Sequence, residues 1–289
     1  MKGKVMTERQ ITISRFLHSK FFIIGGITAL IICLLSIFST SIVRFDPTIP
    51  DFTARLVPPE WFKYGFNGHI LGTDNLGRDI LARLLVGSRY SLIVASLSVS
   101  IAAVIGVVLG MIAGFYGGWI DTLIMRFGDV QLSIPAMMLA VTLVAIVGPN
   151  LVNLILVLIV TEWMRYARTV RSVVQVLRNS EFVSASRVLG ANDMWIMFRQ
   201  IMPNILTSLI VLASQSFGQM ILIEAGMSFL GLGVQSPMPS WGVMISMGRD
   251  YLQSAPWTVL VPGIMLMITV LAFNFLGDGI RDAIDPRLK

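Results

Sequence analysis

The chain has 289 residues, of which 55% are hydrophobic and only 13% are charged, a composition well outside that of soluble globular domains. Its formal charge of +6 does not indicate nucleic-acid binding, because the Lys and Arg residues lie between long apolar runs rather than on one basic face. The single cysteine, Cys33, excludes an intrachain disulfide and suggests no metal site. We therefore expect an all-α integral membrane protein that contacts lipid and not nucleic acid.

Long uncharged stretches predict six transmembrane helices, because roughly 20 apolar helical residues cross a bilayer. The first stretch follows a basic start, but it is longer than the apolar core of a signal peptide, so we expect it to be retained as a span. Gly148-Pro149-Asn150 divides the third span from the fourth, since proline lacks a donor and restricts the residue before it. The predicted spans are residues 21–43, 90–116, 122–147, 151–172, 205–231 and 256–277.

The distribution of Lys and Arg predicts the orientation of these spans. An even number of spans places both termini on one side, and 15 of the 22 Lys and Arg residues then fall on the side that the positive-inside rule assigns to the cytoplasm. Segment 44–89 is the exception, with six of them outside. The predicted organisation is a cytoplasmic segment 1–20, a first helix 21–43, an extracytoplasmic segment 44–89 with an amphipathic helix, a five-helix core 90–280 and a cytoplasmic tail 281–289.

Gly106, Gly110 and Gly114 recur every four residues on the second span and give it a flat face that another helix can approach closely. Packing within this chain and contact with another subunit are equally compatible with the pattern. The glycines therefore predict a close helix pair without indicating which chain supplies the second helix.

Segment 178–203, between the fourth and fifth spans, is too long for a minimal connection between helices. Ser180 is placed to cap a short helix, and Gly190 is placed to end it. The polar residue at 192 or 193 can start a second, amphipathic piece, and Pro203 then opens the fifth span where its missing N–H is harmless. We expect a helix, a glycine corner and a second helix, which together form a rigid cytoplasmic elbow.

In this segment the sequence resembles the permeases of ABC importers, whose cytoplasmic signature is Glu-Ala-Ala, three residues, Gly, nine residues and Ile-x-Leu-Pro. Ser184-Ala185-Ser186 occupy the first triplet, Gly190 the glycine, and Ile201-Met202-Pro203 the end. The departures are Ser for Glu and for the second Ala, and Met for Leu. An ordinary amphipathic helix at the membrane surface is the alternative interpretation.

The resemblance implies that the elbow docks into a groove on an ATPase subunit and that the fold is the type I permease fold. The contact residues that it implies are Val183, Ser184, Ala185, Ser186, Arg187, Gly190 and Ala191, with Pro203 at the end of the elbow.

Three further stretches resemble the second permease of dipeptide, oligopeptide and nickel importers. The first is 71–79, continuing to Arg89, with an expected Asp79–Arg83 pair at i, i+4. The second is 228–233 followed by 237–242, and the third is 272–286. This branch implies a bacterial or archaeal cytoplasmic membrane, a homologous permease as heterodimer partner, two ABC ATPase subunits that hold ATP and magnesium, and an extracytoplasmic solute-binding protein.

Three ionisable residues are expected at membrane depth, where such residues are rare and often functional. Glu162 and Arg165 share a helical face and would form a structural ion pair or line the substrate path. Glu224 would lie near the outer mouth, where anchoring of a helix end is favoured over substrate contact.

The chain carries no Gly-x-x-x-x-Gly-Lys-Ser/Thr phosphate loop, so the energy for transport would come from a partner, and we expect no catalytic residue and no cofactor in this chain. Peptides are the default substrate of the resembling branch. Stretches 163–172 and 225–228 look more like nickel-type permeases, which keeps a metal or metallophore complex as an alternative. An ATP-independent secondary transporter or channel is the rival class, although the inverted repeats and ion relay that are common in that class are not evident. A membrane scaffold is a second rival.

Overall fold

The computed structural model of the chain describes residues 16, 18–60 and 68–284. Most of the predicted cytoplasmic segment 1–20 and all but the start of the predicted tail 281–289 lie outside the described residues. The described part is built from helices, which are α1 Lys20–Ile37, α2 Ser39–Ile42, α3 Ile80–Tyr116, α4 Gly118–Leu132, α5 Ala136–Val147, α6 Leu151–Leu177, α7 Glu181–Val188, α8 Asp193–Phe229, α9 Trp241–Gly248 and α10 Trp257–Ile284, with 3-10 turns at Phe52–Ala54 and Arg249–Tyr251.

Close helix contacts place the two ends of the described chain at the same end of the bundle. A Cβ on Gly279 of α10 would lie 2.4 Å from the backbone nitrogen of Phe22, so α10 ends where α1 begins. Helix α8 runs antiparallel to α10, because Gly218 lies against Asn274 whereas Gly277 lies against Ser214. The start of α8 therefore lies at this same end, which we call the elbow end.

The core of the bundle is the pair of helices α3 and α6, and the repeated glycines of α3 allow them to pack closely. A Cβ at Gly110 would lie 2.4 Å from the carbonyl oxygen of Ala167, and one at Gly106 would lie 2.4 Å from that of Trp163. Because neither backbone could stay in place beside a larger side chain, glycine sets the separation of the two helices. Of the two alternatives left open by the sequence, the glycine face packs within this chain.

Four helices of the described chain, α1, α3, α8 and α10, are long and apolar enough to cross a membrane, and α4 with α5 makes a fifth if the bent pair counts as one span. Helix α6, the fourth predicted span, has 27 residues, but its charged residues lower its hydropathy. The six predicted spans are thus all represented by helices. The chain has the all-α fold predicted for it.

Two predicted boundaries were wrong. The amphipathic helix expected in segment 44–89 and the second span are one helix, α3, whose 37 residues extend about 55 Å. The third predicted span, 122–147, is broken, since α4 and α5 meet at an angle of 88°. Pro135 lies at the break, where it lacks an N–H to continue the ladder and disfavours helical geometry at Ile134.

The opposite end of the bundle is covered by segments 43–60 and 68–79, which we call the outer cap. The predicted Asp79–Arg83 pair is absent, because Asp79 is the N-cap of α3 and accepts a hydrogen bond from the Ala82 amide at 2.7 Å. The buried guanidinium of Arg83 instead faces Asp74, with Nε 3.4 Å from Oδ2. Asp74 also binds Arg78 at 2.7 Å, so one carboxylate holds two buried arginines.

Candidate functional site

The predicted elbow is present at the end of the bundle where the described chain begins and ends. Its first arm is α7, which closes with a pair of backbone hydrogen bonds, from Ala191 N to Ser186 O and from Gly190 N to Arg187 O, both 3.0 Å long. This is a Schellman closure, and it requires the left-handed backbone that Gly190 adopts at φ +83°. Asn192 then caps α8 by accepting a hydrogen bond from the Trp195 amide at 2.7 Å. A helix, a glycine corner and a helix follow one another as predicted.

Two details of the elbow differ from the prediction. Ser180 stands at the N-cap position of α7, but its hydroxyl donates to Leu177 O at 2.6 Å instead of capping the helix. The second piece of the elbow and the fifth span form one continuous helix, α8, which starts at Asp193. Pro203 lies in the first turn of the α-helical stretch Met202–Phe229, where its missing N–H is harmless as predicted. The turns of Ile196–Ile201 are π-helical, and α-helical turns resume at Met202. A wider turn just before Pro203 accommodates the ring and the missing N–H of that proline.

The elbow is attached to the bundle by contacts at the end of α3. Arg178 donates from Nη1 to Gly114 O at 3.0 Å and to Phe115 O at 3.3 Å, so it satisfies terminal carbonyls of that helix. Arg187 lies over the ring of Phe115, and Val183, on the inner face of α7, is fully buried. These contacts join the elbow to the last turn of α3.

The tip of the elbow is apolar and open. Val188 and Leu189 are 88% and 86% exposed, and Leu189 borders a notch of about 400 Å³. Because this corner lies outside the predicted spans, two neighbouring exposed apolar residues make it a candidate docking surface. Of the contact residues that the resemblance implies, Val183 faces inward, Ser186 and Ala191 are half-buried, and the others are exposed, namely Ser184, Ala185, Arg187, Gly190 and Pro203.

The predicted intramembrane residues Glu162 and Arg165 lie together on α6. Arg165 Nη1 is 3.5 Å from Glu162 Oε1 and donates to Gln219 Oε1 at 2.6 Å. Ser216 donates to the same carboxylate oxygen of Glu162 at 2.5 Å. Glu162 is buried, whereas the Arg165 side chain keeps 37% of its surface exposed. The pair thus joins α6 to α8 and leaves a cation open at membrane depth.

Glu224 lies apart from this pair, near the outer cap. It is fully buried and accepts hydrogen bonds from Ser91 at 2.9 Å and from Ser228 at 2.7 Å. Ser91 belongs to α3, so the carboxylate ties the last turns of α8 to the first turns of that helix. A side chain in this position does not reach an open surface.

A polar surface on α8 was missed by the sequence reasoning. Its signal is the spacing of exposed or half-buried amides and hydroxyls, which recur at helical intervals on one face of an otherwise apolar helix. The same surface continues on α6 beside Arg165. We call it the polar lane, and its members are Arg165, Thr169 and Ser172 on α6 and Asn204, Ser208, Gln215 and Gln219 on α8.

Metal coordination is not supported by the described part of the chain, where no three His, Cys, Asp or Glu residues are grouped so that they could hold an ion.

Comparison with known proteins shows which family this chain belongs to and which solved structures share its fold. The family described as binding-protein-dependent transport system inner membrane component matches residues 106–289. The di/tripeptide transport system permease protein DppC of Pseudomonas aeruginosa is 41% identical, over 95% of this chain and 90% of the relative. The dipeptide transport system permease protein DppC of Escherichia coli K12 is 45% identical, over 95% and 91%. The glutathione transport system permease protein GsiD of Pectobacterium atrosepticum is 38% identical, over 95% and 90%.

Among solved structures, an inward-facing conformation of the MetNI methionine ABC transporter matches with a TM-score of 0.55 at 23% identity. The match covers 70% of this chain and 96% of the other. At that identity the likeness concerns the fold alone.

Proposed function

The chain belongs to the family of binding-protein-dependent transport system inner membrane components, and on that premise we propose that it is the permease subunit of an ABC importer for di- and oligopeptides. It is a multi-pass inner-membrane protein with the type I permease fold, and its family supplies the membrane part of the importer and not the ATPase. The substrate class rests on one observation, the 41% to 45% identity over 95% of the chain to permeases named for dipeptides and tripeptides.

A metal or metallophore substrate has less support than a peptide. The DppC and GsiD relatives are named for peptides or glutathione, and the described residues form no cluster of metal ligands. Of the two stretches that resemble nickel-type permeases, 163–172 contains Arg165, a cation that disfavours a bare metal ion. We therefore propose a peptide as the substrate.

The elbow supports an ATP-driven mechanism. Its exposed apolar tip would dock on one of two ATPase subunits, which would hold ATP and magnesium, while a homologous permease would complete the membrane dimer. Because α8 continues directly from the elbow and extends about 55 Å, a displacement at the tip would carry along the full length of that helix. The two permeases would rock between inward-open and outward-open states as the ATPases close and reset.

This mechanism sets the proposed orientation. The elbow end would face the cytoplasm, with both chain termini beside it, and the outer cap would face the solute-binding protein. The Lys and Arg count supports that orientation.

The test begins with purification of the chain from its native membrane in mild detergent and identification of whatever accompanies it by mass spectrometry. The assembly is then placed in liposomes, and uptake of labelled dialanine and of labelled nickel is measured with and without ATP and the co-purified binding protein. Recovery of a second permease and two ATPases, with peptide uptake that depends on ATP, is the expected result. Uptake by the chain alone, indifferent to ATP, would establish a secondary transporter, and an assembly without uptake of any solute would leave a scaffold.

A further inference from the structure

Arg165 is an exposed cation in the middle of a buried helix. It lies 12 residues before the end of α6 at Leu177, about 18 Å along the axis, yet 37% of its side chain is exposed. A charged group at that depth faces water or protein and not lipid tails, because hydrocarbon offers it no hydrogen bonds. Arg165 therefore marks a part of the surface that the bilayer does not cover.

Residues of the polar lane support the same conclusion over a longer distance. Gln219, Gln215, Ser208 and Asn204 stand on one face of α8, with Gln219 in contact with Arg165 and the others following toward the elbow end. Amides and hydroxyls in a row would be costly against lipid but suit a hydrated passage. The lane thus runs from Arg165 to the elbow end, with one apolar interruption at Val211, which lies between Ser208 and Gln215 on the same face.

The neighbours of Arg165 hold its side chain in place and leave most of its N–H donors available to a ligand. Both of its side-chain contacts, to Glu162 and to Gln219, are made through Nη1. A guanidinium has five N–H donors in a planar fork, so its other edge can bind a carboxylate with two hydrogen bonds. Glu162 itself is buried, and Ser216 occupies its Oε1 atom, so it is not placed to take a ligand.

We propose that Arg165 binds the terminal carboxylate of a peptide during its passage along the polar lane, and that Glu162 and Gln219 are positioning residues. This inference rests on the proposed peptide function. Glu162 has a second effect, since its negative charge offsets that of Arg165 and keeps the bound carboxylate from being held too tightly. A site along a transport path must bind the solute strongly enough for it to enter and weakly enough for it to leave.

The test uses the full importer in liposomes, with binding protein saturated by each peptide so that capture does not limit uptake. Dialanine carries a free carboxylate, and dialanine amide lacks it. We expect R165Q to lower the maximal uptake rate of dialanine by about tenfold or more, as expected for the loss of hydrogen bonds to a charged group, and to leave that of the amide unchanged. R165K should restore most of the rate, and R126Q, which alters an exposed arginine on α4, should change neither peptide's uptake.

A second measurement does not depend on the binding protein. Phenylglyoxal modifies exposed arginines, and mass spectrometry of the purified importer reports modification of Arg165. Dialanine should protect this residue more than dialanine amide does, and E162Q should increase the protection because the competing charge is gone.

The outcomes separate the two proposals. An equal fall in the uptake of both peptides in R165Q, or equal protection of Arg165 by both, would overturn the inference, because the effect would not depend on the peptide carboxylate. If the unmodified importer hydrolyses ATP but moves neither peptide, the peptide function itself fails.

Discussion

The guanidinium carbon of Arg187 lies 5.2 Å from the centroid of the Phe115 ring. This contact joins α7, the first arm of the elbow, to the last turn of α3. Phe115 is buried, so the ring is held by the core of the bundle. Arg178 binds the carbonyl groups of the same turn of α3. In the proposed mechanism, motion that an ATPase imposes on the elbow would be passed both to α8, by chain continuity, and to α3, through these two arginines.

Replacing Arg187 with leucine should weaken this attachment while keeping apolar bulk over the ring. A cation–π contact at an exposed site contributes about 0.5–1 kcal/mol, which corresponds to about a twofold to fivefold change. We expect R187L to lower the peptide taken up per ATP hydrolysed by about that factor and R187K to retain most of it. A loss far larger than this in both variants would mean that Arg187 acts by direct contact with the ATPase.

Replacing Gly110 with alanine should separate α3 from α6. The new Cβ would lie 2.4 Å from Ala167 O, and because a backbone atom cannot move aside cheaply, overpacking should cost about 1–3 kcal/mol or more. The measurement is the thermal unfolding midpoint in detergent.

Gly263 on α10 provides the matched control for this change. A Cβ there meets nothing within 4 Å, so G263A should be neutral or raise the unfolding midpoint through the better helix propensity of alanine. Equal midpoints for G110A and G263A would contradict the close packing of α3 on α6.

The elbow could be predicted from sequence because its signals are local. A glycine that ends a helix, a capping Asn192 and a proline after an amphipathic turn specify the corner without reference to the rest of the chain. The same is true of the long apolar spans, which length and hydropathy reveal.

The errors arose where distant parts of the chain decide the outcome. Spacing indicated Asp79 as the partner of Arg83, but α3 begins at Ile80, which directs the Asp79 carboxylate to the helix amides. The partner of Arg83 comes from the folded outer cap. The bend at Pro135 was missed because the apolar residues on both sides make one continuous run, and only packing decides whether such a proline kinks, breaks or ends a helix.

The outer cap should depend on Asp74. Its carboxylate is 2.7 Å from Arg78 Nη2 and 3.4 Å from Arg83 Nε, and both arginines are buried. D74N would leave two buried guanidinium groups without a counter-charge, so we expect a loss of about 3–5 kcal/mol in the free energy of unfolding. Asp250 pairs with Arg249 at the surface, and D250N should cost at most about 1 kcal/mol. Similar losses in the two variants would show that the cap does not rely on this cluster.

The apolar tip of the elbow should contribute directly to ATPase docking. Burial of a valine or leucine side chain is worth about 1.5–3 kcal/mol, so the double variant V188S/L189S should weaken the affinity of the ATPase subunits by tenfold or more. V176S alters an exposed valine in the last turns of α6, outside the elbow, and should leave that affinity unchanged. Co-purification, and titration of the ATPase onto the detergent-solubilised permease, measure the ATPase affinity of the double variant and of V176S. Normal affinity in the double variant would remove the tip from the interface.

Gly190 offers the most specific test of the elbow, because a substitution there strains the backbone without creating a clash inside the chain. Its φ of +83° lies in the left-handed region, yet a Cβ built on it meets nothing within 4 Å. Within this chain a substitution therefore acts only through backbone conformation, which costs an ordinary residue about 1–2 kcal/mol and a β-branched residue more. G190V should reshape the corner and abolish ATP-dependent uptake, while membrane insertion and the unfolding midpoint of the bundle stay normal. Asparagine adopts the left-handed conformation more readily, so G190N, with a side chain of comparable bulk, should keep most of the uptake. Normal uptake by G190V would mean that the angle between α7 and α8 has no part in coupling, and equal loss in both variants would mean that the partner requires a bare backbone at this corner.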